Sequence, residues 1–296
     1  MLFQRAFAKI NLGLRVLRRR EDGYHDIETV FHRVDIHDDL GAELSPALSL
    51  NCDDPELPAV GNLVLVAAEK LRERFDVRSG AAMTLKKRIP YGAGLGGGSA
   101  DAAAALQLLC RLWRLDPSPG VLAEIALGIG ADVPYFLGEG SAHATSLGEK
   151  LSYFPLVLPH TVLVVAPRIC LSTRTAYQSV VPRGYTGADD LRTLLIRHLD
   201  RPDLLRNLLL NDFEGTVLRS HPAVGEIKSR LYECGADFCL LSGSGSALFA
   251  IFQREETAVE TAGRLGAEHR IFLTRPGFTP DLRITERGIA GIAGID

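Results

Sequence analysis

The sequence has no surplus of basic side chains, no cysteine pair in a metal or redox spacing, and no long apolar run. With 33 Lys and Arg against 36 Asp and Glu, the formal net charge is -3. A protein that binds a phosphate backbone needs a basic excess, so nucleic acid is not expected as a partner. The five cysteines (Cys52, Cys110, Cys170, Cys234, Cys239) are odd in number and scattered, with no C-x-x-C among them. Free thiols in a reducing, cytoplasmic compartment are expected. No apolar stretch reaches the roughly 18 residues a membrane span needs, and the segment from Met1 to Lys9 lacks a charged start followed by an apolar run, so neither a membrane nor export is expected. The chain has no G-x-S-x-G and no Ser-His-Asp arrangement, which leaves hydrolase chemistry without a foothold. The small-residue near-repeat over 288–296 is too short for a solenoid and reads as a frayed tail.

What is present is an ordinary globular balance: 296 residues, 46% hydrophobic and 23% charged. That length favours two domains, and the reset of pattern between Pro155 and Pro159 sets the expected boundary, giving units 1–157 and 158–296. From Leu2 to Val16 apolar and polar residues alternate as in a half-buried strand, with Lys9 and Asn11 two apart on one face. Asn62 precedes a capped amphipathic helix, Ser99 is read as the cap of a second, and a third runs from Val121 to Ile129, after which Pro134 forbids continuation. A buried strand at Val162 to Ala166 opens the second unit. After two looser helical stretches come a helix at Val224 to Cys234, strands at Phe238 to Leu241 and Ala247 to Phe252, a helix near Glu256 to Leu265, and a strand at Arg270 to Leu273. The order β-α-β-β-α-β predicts a ferredoxin-like half.

The sharpest feature is the run Pro90, Tyr91, Gly92, Ala93, Gly94, Leu95, Gly96, Gly97, Gly98, Ser99, Ala100, in which five glycines lead straight into a helix. Glycines let backbone amides approach an anion, and the unpaired amides at a helix start favour phosphate. Taken alone, the run reads equally as a flexible turn feeding an alanine-rich core helix. Gly92-x-Gly94-x-x-Gly97 formally matches the dinucleotide fingerprint, but the context of an early parallel βαβ unit is missing, and no Gly-Lys-Ser/Thr ends the loop as a Walker A motif would.

Three segments together resemble the superfamily of galactokinase, homoserine kinase, mevalonate kinase and phosphomevalonate kinase. The stretch from Pro90 to Ala100 is similar to its phosphate loop nearly residue for residue, and Leu241 to Leu248, with Gly243, Ser244 and Gly245, is similar to its second glycine motif. Ala8 to Leu12, Arg19 to His25 and Gly130 to Pro134 resemble the signatures of the branch that phosphorylates a cytidine-diphosphate-linked methylerythritol on the non-mevalonate isoprenoid route. The resemblance implies an α+β, two-domain small-molecule kinase fold. The N-terminal domain would be ribosomal-protein-S5-like and bind the nucleotide, and the C-terminal domain would be ferredoxin-like. It further implies ATP and Mg2+ as cofactors, with Ser99 as a metal contact through Mg-ATP, and a small-molecule partner bearing a cytidine diphosphate. Asn11, Tyr24, His25, Thr173 and Tyr177 would line the substrate pocket, with the rings of Tyr24 and Tyr177 sandwiching cytosine while His25 bonds its polar edge.

The chemistry of phosphoryl transfer agrees. It needs a base for the alcohol proton and a cation beside the transferring group, roles that fall to Asp132 and Lys9. Other clusters are set aside. His25, His32 and His37 with Asp35, Asp38 and Asp39 match no ligand spacing and read as strand and turn residues. Arg18 to Arg20, followed by Glu21 and Asp22, reads as a solvated turn. Asn211 to Glu214 reads as a helix cap with its Glu three positions on.

Overall fold

The computed structural model describes residues 1–55, 57, 61–171, 173–185 and 189–286. The near-repeat over 288–296 therefore lies outside the described residues. Two long antiparallel strands, β1 (Leu2–Arg19) and β2 (His25–Ser45), come first, joined by a turn in which the amides of Arg20 and Gly23 bond Tyr24 and Arg20 carbonyls. There follow β3 (Ser49–Cys52), α1 (Leu63–Phe75), β4 (Gly80–Lys86), α2 (Gly97–Leu112), α3 (Pro119–Leu127), α4 (Val133–Leu137), β5 (Ser141–Ser146) and β6 (Lys150–Phe154). The next elements are β7 (Thr161–Ala166), α5 (Thr173–Ser179), α6 (Leu191–Arg197), α7 (Pro202–Leu208), α8 (Glu214–Ser220) and α9 (Pro222–Glu233). The chain finishes with β8 (Phe238–Leu241), β9 (Leu248–Phe252), α10 (Glu255–Leu265), β10 (Arg270–Thr274) and β11 (Thr285–Glu286).

The first sheet has the order β11-β1-β2-β4-β3, with β5 added to the far half of β2 and β6 to β5. The second has the order β10-β7-β9-β8, antiparallel throughout. That is the expected ferredoxin-like strand order. Four layers result. Alanines 102 to 105 of α2 sit against Val64, Ala67 and Leu71 of α1 and cover one face of the first sheet. Ala8, Ile10 and Leu12 of β1 meet Val162, Val164 and Phe249 between the two sheets. Ile227, Leu231 and Ala258 close the outer face of the second sheet.

This layering corrects the half-buried reading of β1. Its aliphatic row faces the second sheet while Lys9 and Asn11, 4% and 1% exposed, lie under the helical layer. Asn62 caps α1 as expected, its side chain accepting from the Val64 amide at 3.0 Å. Ser99 does not cap α2: the cap position is Gly96, and Ser99 lies inside the first turn. Pro134 does not end a helix but sits in the first turn of α4, a place where its missing N–H costs nothing. The two loose stretches before α9 are four short helices, α5 to α8. Asn211 and Glu214 form no capping box. Glu214 instead accepts from Lys228 and from the Leu241 amide. The Arg18 to Arg20 run straddles the end of β1, where Arg18 and Arg20 pair with Asp26. The chain also returns β11 to the first sheet beside β1; a division between residues 157 and 158 is our proposal for the domain boundary.

Candidate active site

A cleft of about 670 Å³ opens between α2 and the second sheet, and the whole segment from Pro90 to Ser99 lines it. Ala100 lies beneath that surface, 2% exposed. The loop is held from two sides. On one, the Lys9 amide of β1 donates to the Leu95 carbonyl at 2.9 Å. On the other, the Ala247 amide donates to Ala93 O at 3.0 Å and the Ser242 hydroxyl to Gly94 O at 3.0 Å. Gly94 has φ +79°, and a Cβ there would stand 2.1 Å from the Ser242 carbonyl oxygen. Only glycine permits this contact between the two glycine turns. Asn211 holds the second turn from behind, donating to Leu241 O and Gly243 O at 2.8 and 2.7 Å.

At the mouth of the loop the predicted pair comes together. Lys9 Nζ is 3.5 Å from Asp132 Oδ2 and donates to Asn11 Oδ1 at 2.7 Å. The Phe31 ring lies 5.0 Å beneath the ammonium. Asn11 is fixed in turn, donating to the Thr29 hydroxyl at 2.9 Å, which itself donates to Gly13 O. The Lys9 side chain is 4% exposed and that of Asp132 35%. The cation is thus built into the floor while the carboxylate faces the cleft.

Thr173, Tyr177, Gly243 and Ser244 line the far wall, with the Thr173 and Ser244 hydroxyls 3.0 Å apart. Tyr177 packs edge-on to Phe213 at 4.8 Å and tilted on His25 at 5.5 Å. Burial and the nearby Asp132 charge push its phenol well up, so it stays neutral and able to donate. Tyr24 and Tyr177 make no ring contact with each other among the described residues. Tyr24 is 64% exposed on the β1–β2 turn, and among the described residues the ring beside Tyr177 on that side is His25. Neither Tyr24 nor His25 borders the cleft itself, nor does Gly245, whose neighbours are Leu241 and Leu171. Burial, with Arg19 adding to it, lowers the His25 pKa, which keeps its imidazole neutral.

Three polar cleft residues were not read as site residues: Asn62, seen only as a helix cap, Lys87 and Asp101. Lys87 bridges two buried carboxylates, Asp38 and Asp101. Asp38 also accepts from the Arg88 and Ile89 amides at 2.5 and 2.8 Å, fixing the entry to the loop. Burial alone would lower the Lys87 pKa, but the charges of Asp101 and Asp38 outweigh it and hold the ammonium above its ordinary range. Asp101 is pushed well up by burial and by Asp38, and its Oδ1 has no partner. The lysine belonged to a visible basic run, Lys86 to Arg88, but nothing in the spacing tied it to Asp38.

The formal dinucleotide fingerprint fails on this geometry. Its helix α2 leads through α3 and α4 into β5, which runs antiparallel to β2, rather than into a parallel strand. As for a metal, no group of three His, Cys, Asp or Glu side chains that could hold one occurs among the described residues. The Ser99 hydroxyl, on the cleft wall, is an oxygen donor that suits a hard cation keeping most of its waters. Among the described residues no helix is long and apolar enough to cross a membrane.

Comparison with known proteins agrees with the geometry. The GHMP kinases N terminal domain matches residues 62–140 and the GHMP kinases C terminal domain residues 193–270. The chain is 45% identical over 279 residues to 4-diphosphocytidyl-2-C-methyl-D-erythritol kinase of Chlorobium phaeobacteroides, covering 93% of this chain and 97% of that protein. Identity to the protein of the same name from Salinibacter ruber is 47% over 270 residues, covering 88% and 93%. A crystal structure of 4-(cytidine 5'-diphospho)-2C-methyl-D-erythritol kinase matches with a TM-score of 0.79 at 35% identity, covering 93% of this chain and 99% of that one.

Proposed function

For a kinase chain that belongs to the GHMP kinases, and within them to the 4-diphosphocytidyl-2-C-methyl-D-erythritol kinases, we propose a reaction in which Asp132 is the general base and Lys9 its partner. ATP is the phosphoryl donor, and the acceptor is the 2-hydroxyl of 4-diphosphocytidyl-2-C-methyl-D-erythritol. The observation that carries this reading is the 3.5 Å approach of Lys9 Nζ to Asp132 Oδ2 beside the glycine loop.

The backbone amides of Gly92 to Gly98 receive the nucleotide phosphates at the start of α2. Asp132, exposed to the cleft, accepts the alcohol proton as the hydroxyl oxygen forms its bond to the terminal phosphorus and the bond to the ADP oxygen breaks. The Lys9 ammonium offsets charge on the carboxylate and on the transferring group, and its hydrogen bond to Asn11 keeps it from swinging away. Mg2+, held by the nucleotide with Ser99 in reach, supplies further charge neutralisation when bound. Asn11 and Thr173 orient the erythritol, and Tyr24 and Tyr177 receive the cytosine ring, with His25 bonding its polar edge. All five cysteines are free, which fits a reducing cytoplasmic setting.

A substrate panel tests the assignment. The protein is mixed with ATP and, separately, 4-diphosphocytidyl-2-C-methyl-D-erythritol, mevalonate, homoserine or galactose, and ADP release is followed. ADP release with the first alone is expected. Turnover of any other with none of the first defeats the proposed substrate.

A further inference from the structure

Helix α4 is short, and its residues Val133 to Phe136 are all buried. It follows Asp132 directly, so whatever anchors it sets the position of that carboxylate. Its C-terminal carbonyls are met by two side chains. The Tyr153 hydroxyl shares its one proton between Tyr135 O at 2.9 Å and Pro134 O at 3.1 Å. The Arg33 guanidinium donates through one nitrogen to Phe136 O at 3.0 Å and to Gly138 O at 2.9 Å.

Among the described residues Arg33, 3% exposed, makes no ion pair, and its Nε has no hydrogen-bond partner. A buried cation without a counter-charge is costly, and here it is compensated by carbonyl oxygens and by the faces of Tyr135 and Phe136, 4.9 and 5.6 Å away. The register gives the arrangement its meaning. Arg33 on β2 is the direct cross-strand partner of Lys9 on β1. One end of the Asp132–α4 unit therefore rests against Lys9, and the other against the residue opposite Lys9 in the same ladder.

We propose that Arg33 is a positioning residue for phosphoryl transfer: by gripping the C-terminal carbonyls of α4 it holds the Asp132 carboxylate at its working distance from Lys9. This rests on the reading of Asp132 as the base. A misplacement on the order of 1 Å at a reacting group costs up to about a hundredfold in rate, so the grip has a kinetic consequence beyond stability.

The test is a cycle of Arg33→Met, Asp132→Asn and the double variant, with kcat and the KM for ATP measured on folded enzyme. Arg33→Met removes the charge and the donors while keeping an unbranched apolar stem. It is expected to lower kcat roughly 10- to 100-fold with the ATP KM within about threefold, because the glycine loop is untouched. In the Asp132→Asn background it should cost almost nothing more, since there is no base left to misplace. Arg33→Lys, which keeps the charge but not the fork of donors, should fall between, and it carries the same cycle if Arg33→Met does not fold. Unchanged kcat in either folded single variant, or a loss that simply multiplies onto Asp132→Asn, overturns the role of Arg33. Full turnover in Asp132→Asn alone overturns the base assignment and this proposal with it.

Discussion

The Lys9 side chain reaches to within 3.5 Å of Asp132 while the Lys9 backbone amide donates to Leu95 in the glycine loop. One residue thus links the anion-binding backbone to the carboxylate that faces the cleft, and a shift of β1 would move both. The link also separates two contributions: the amide positions the loop whatever the side chain, and in the proposed reaction the ammonium acts beside the transferring group.

Substituting Asp132→Asn should therefore lower turnover roughly 10²- to 10⁴-fold, the usual scale for a general base, while ATP still raises the melting temperature as in the parent. Steady-state kinetics beside a thermal shift with ATP make the measurement. Turnover within twofold of the parent would remove Asp132 from its role.

Glycine is required at position 94 for two reasons, φ +79° and a carbonyl 2.1 Å from where a Cβ would sit. Gly94→Ala should cost about 3 kcal/mol or more, because strain and a backbone clash add. Gly98 lies inside α2 with only a Leu63 methyl 3.5 Å from its would-be Cβ. There Gly98→Ala should leave stability unchanged or raise it by up to about 1 kcal/mol, as expected for alanine in a helix. Denaturant unfolding of the two variants decides it, and equal effects would contradict the packing described.

The two carboxylates on Lys87 are not equivalent. Asp38 accepts from the ammonium and from two backbone amides, whereas Asp101 accepts one bond and leaves Oδ1 unpaired. Asp38→Ala should destabilise by about 3 kcal/mol or more through orphaned buried donors. Asp101 has a raised folded pKa, so its ionised form works against folding at every pH above its unfolded value. Asp101→Asn should be neutral or stabilising at pH 8, with less benefit as the pH falls towards 4. A larger loss at Asp101 than at Asp38, read by urea titration, would reverse this ranking.

His32 is 7% exposed, with Nδ1 2.7 Å from the Ser141 hydroxyl. Burial, aided by the Arg33 charge, lowers its pKa from 6.5 to about 4. Its folded pKa lies below the unfolded one, so its contribution is fully present above pH 6.5 and is lost as the pH falls towards 4. The loss is roughly 3 kcal/mol over that window. His32→Asn, whose amide can replace Nδ1 towards Ser141, should flatten the fall in melting temperature between pH 6.5 and 4. An unchanged slope would mean that His32 titrates normally.

The sequence by itself determined the parts whose physics is local. Asn62 before an apolar period of 3.6 announced α1, five glycines before an alanine-rich helix announced the loop that lines the cleft, and the β-α-β-β-α-β order announced the second sheet. Lys9 and Asn11, two apart on a strand, were legible as neighbours because a strand repeats every second residue. Only the tertiary structure decided that both faces of β1 are buried, since that depends on a second sheet built from residues beyond 160. The same holds for Pro134, which sits in the first turn of α4 rather than ending a helix, and for Tyr177, whose ring packs on His25. Arg33 and Asp101 carried no sequence signal, and Asp38 was visible only in a His and Asp cluster that matched no ligand spacing. Their partners are backbone carbonyls and amides or a distant lysine, and hydrogen bonds between groups remote in sequence leave no periodicity to read.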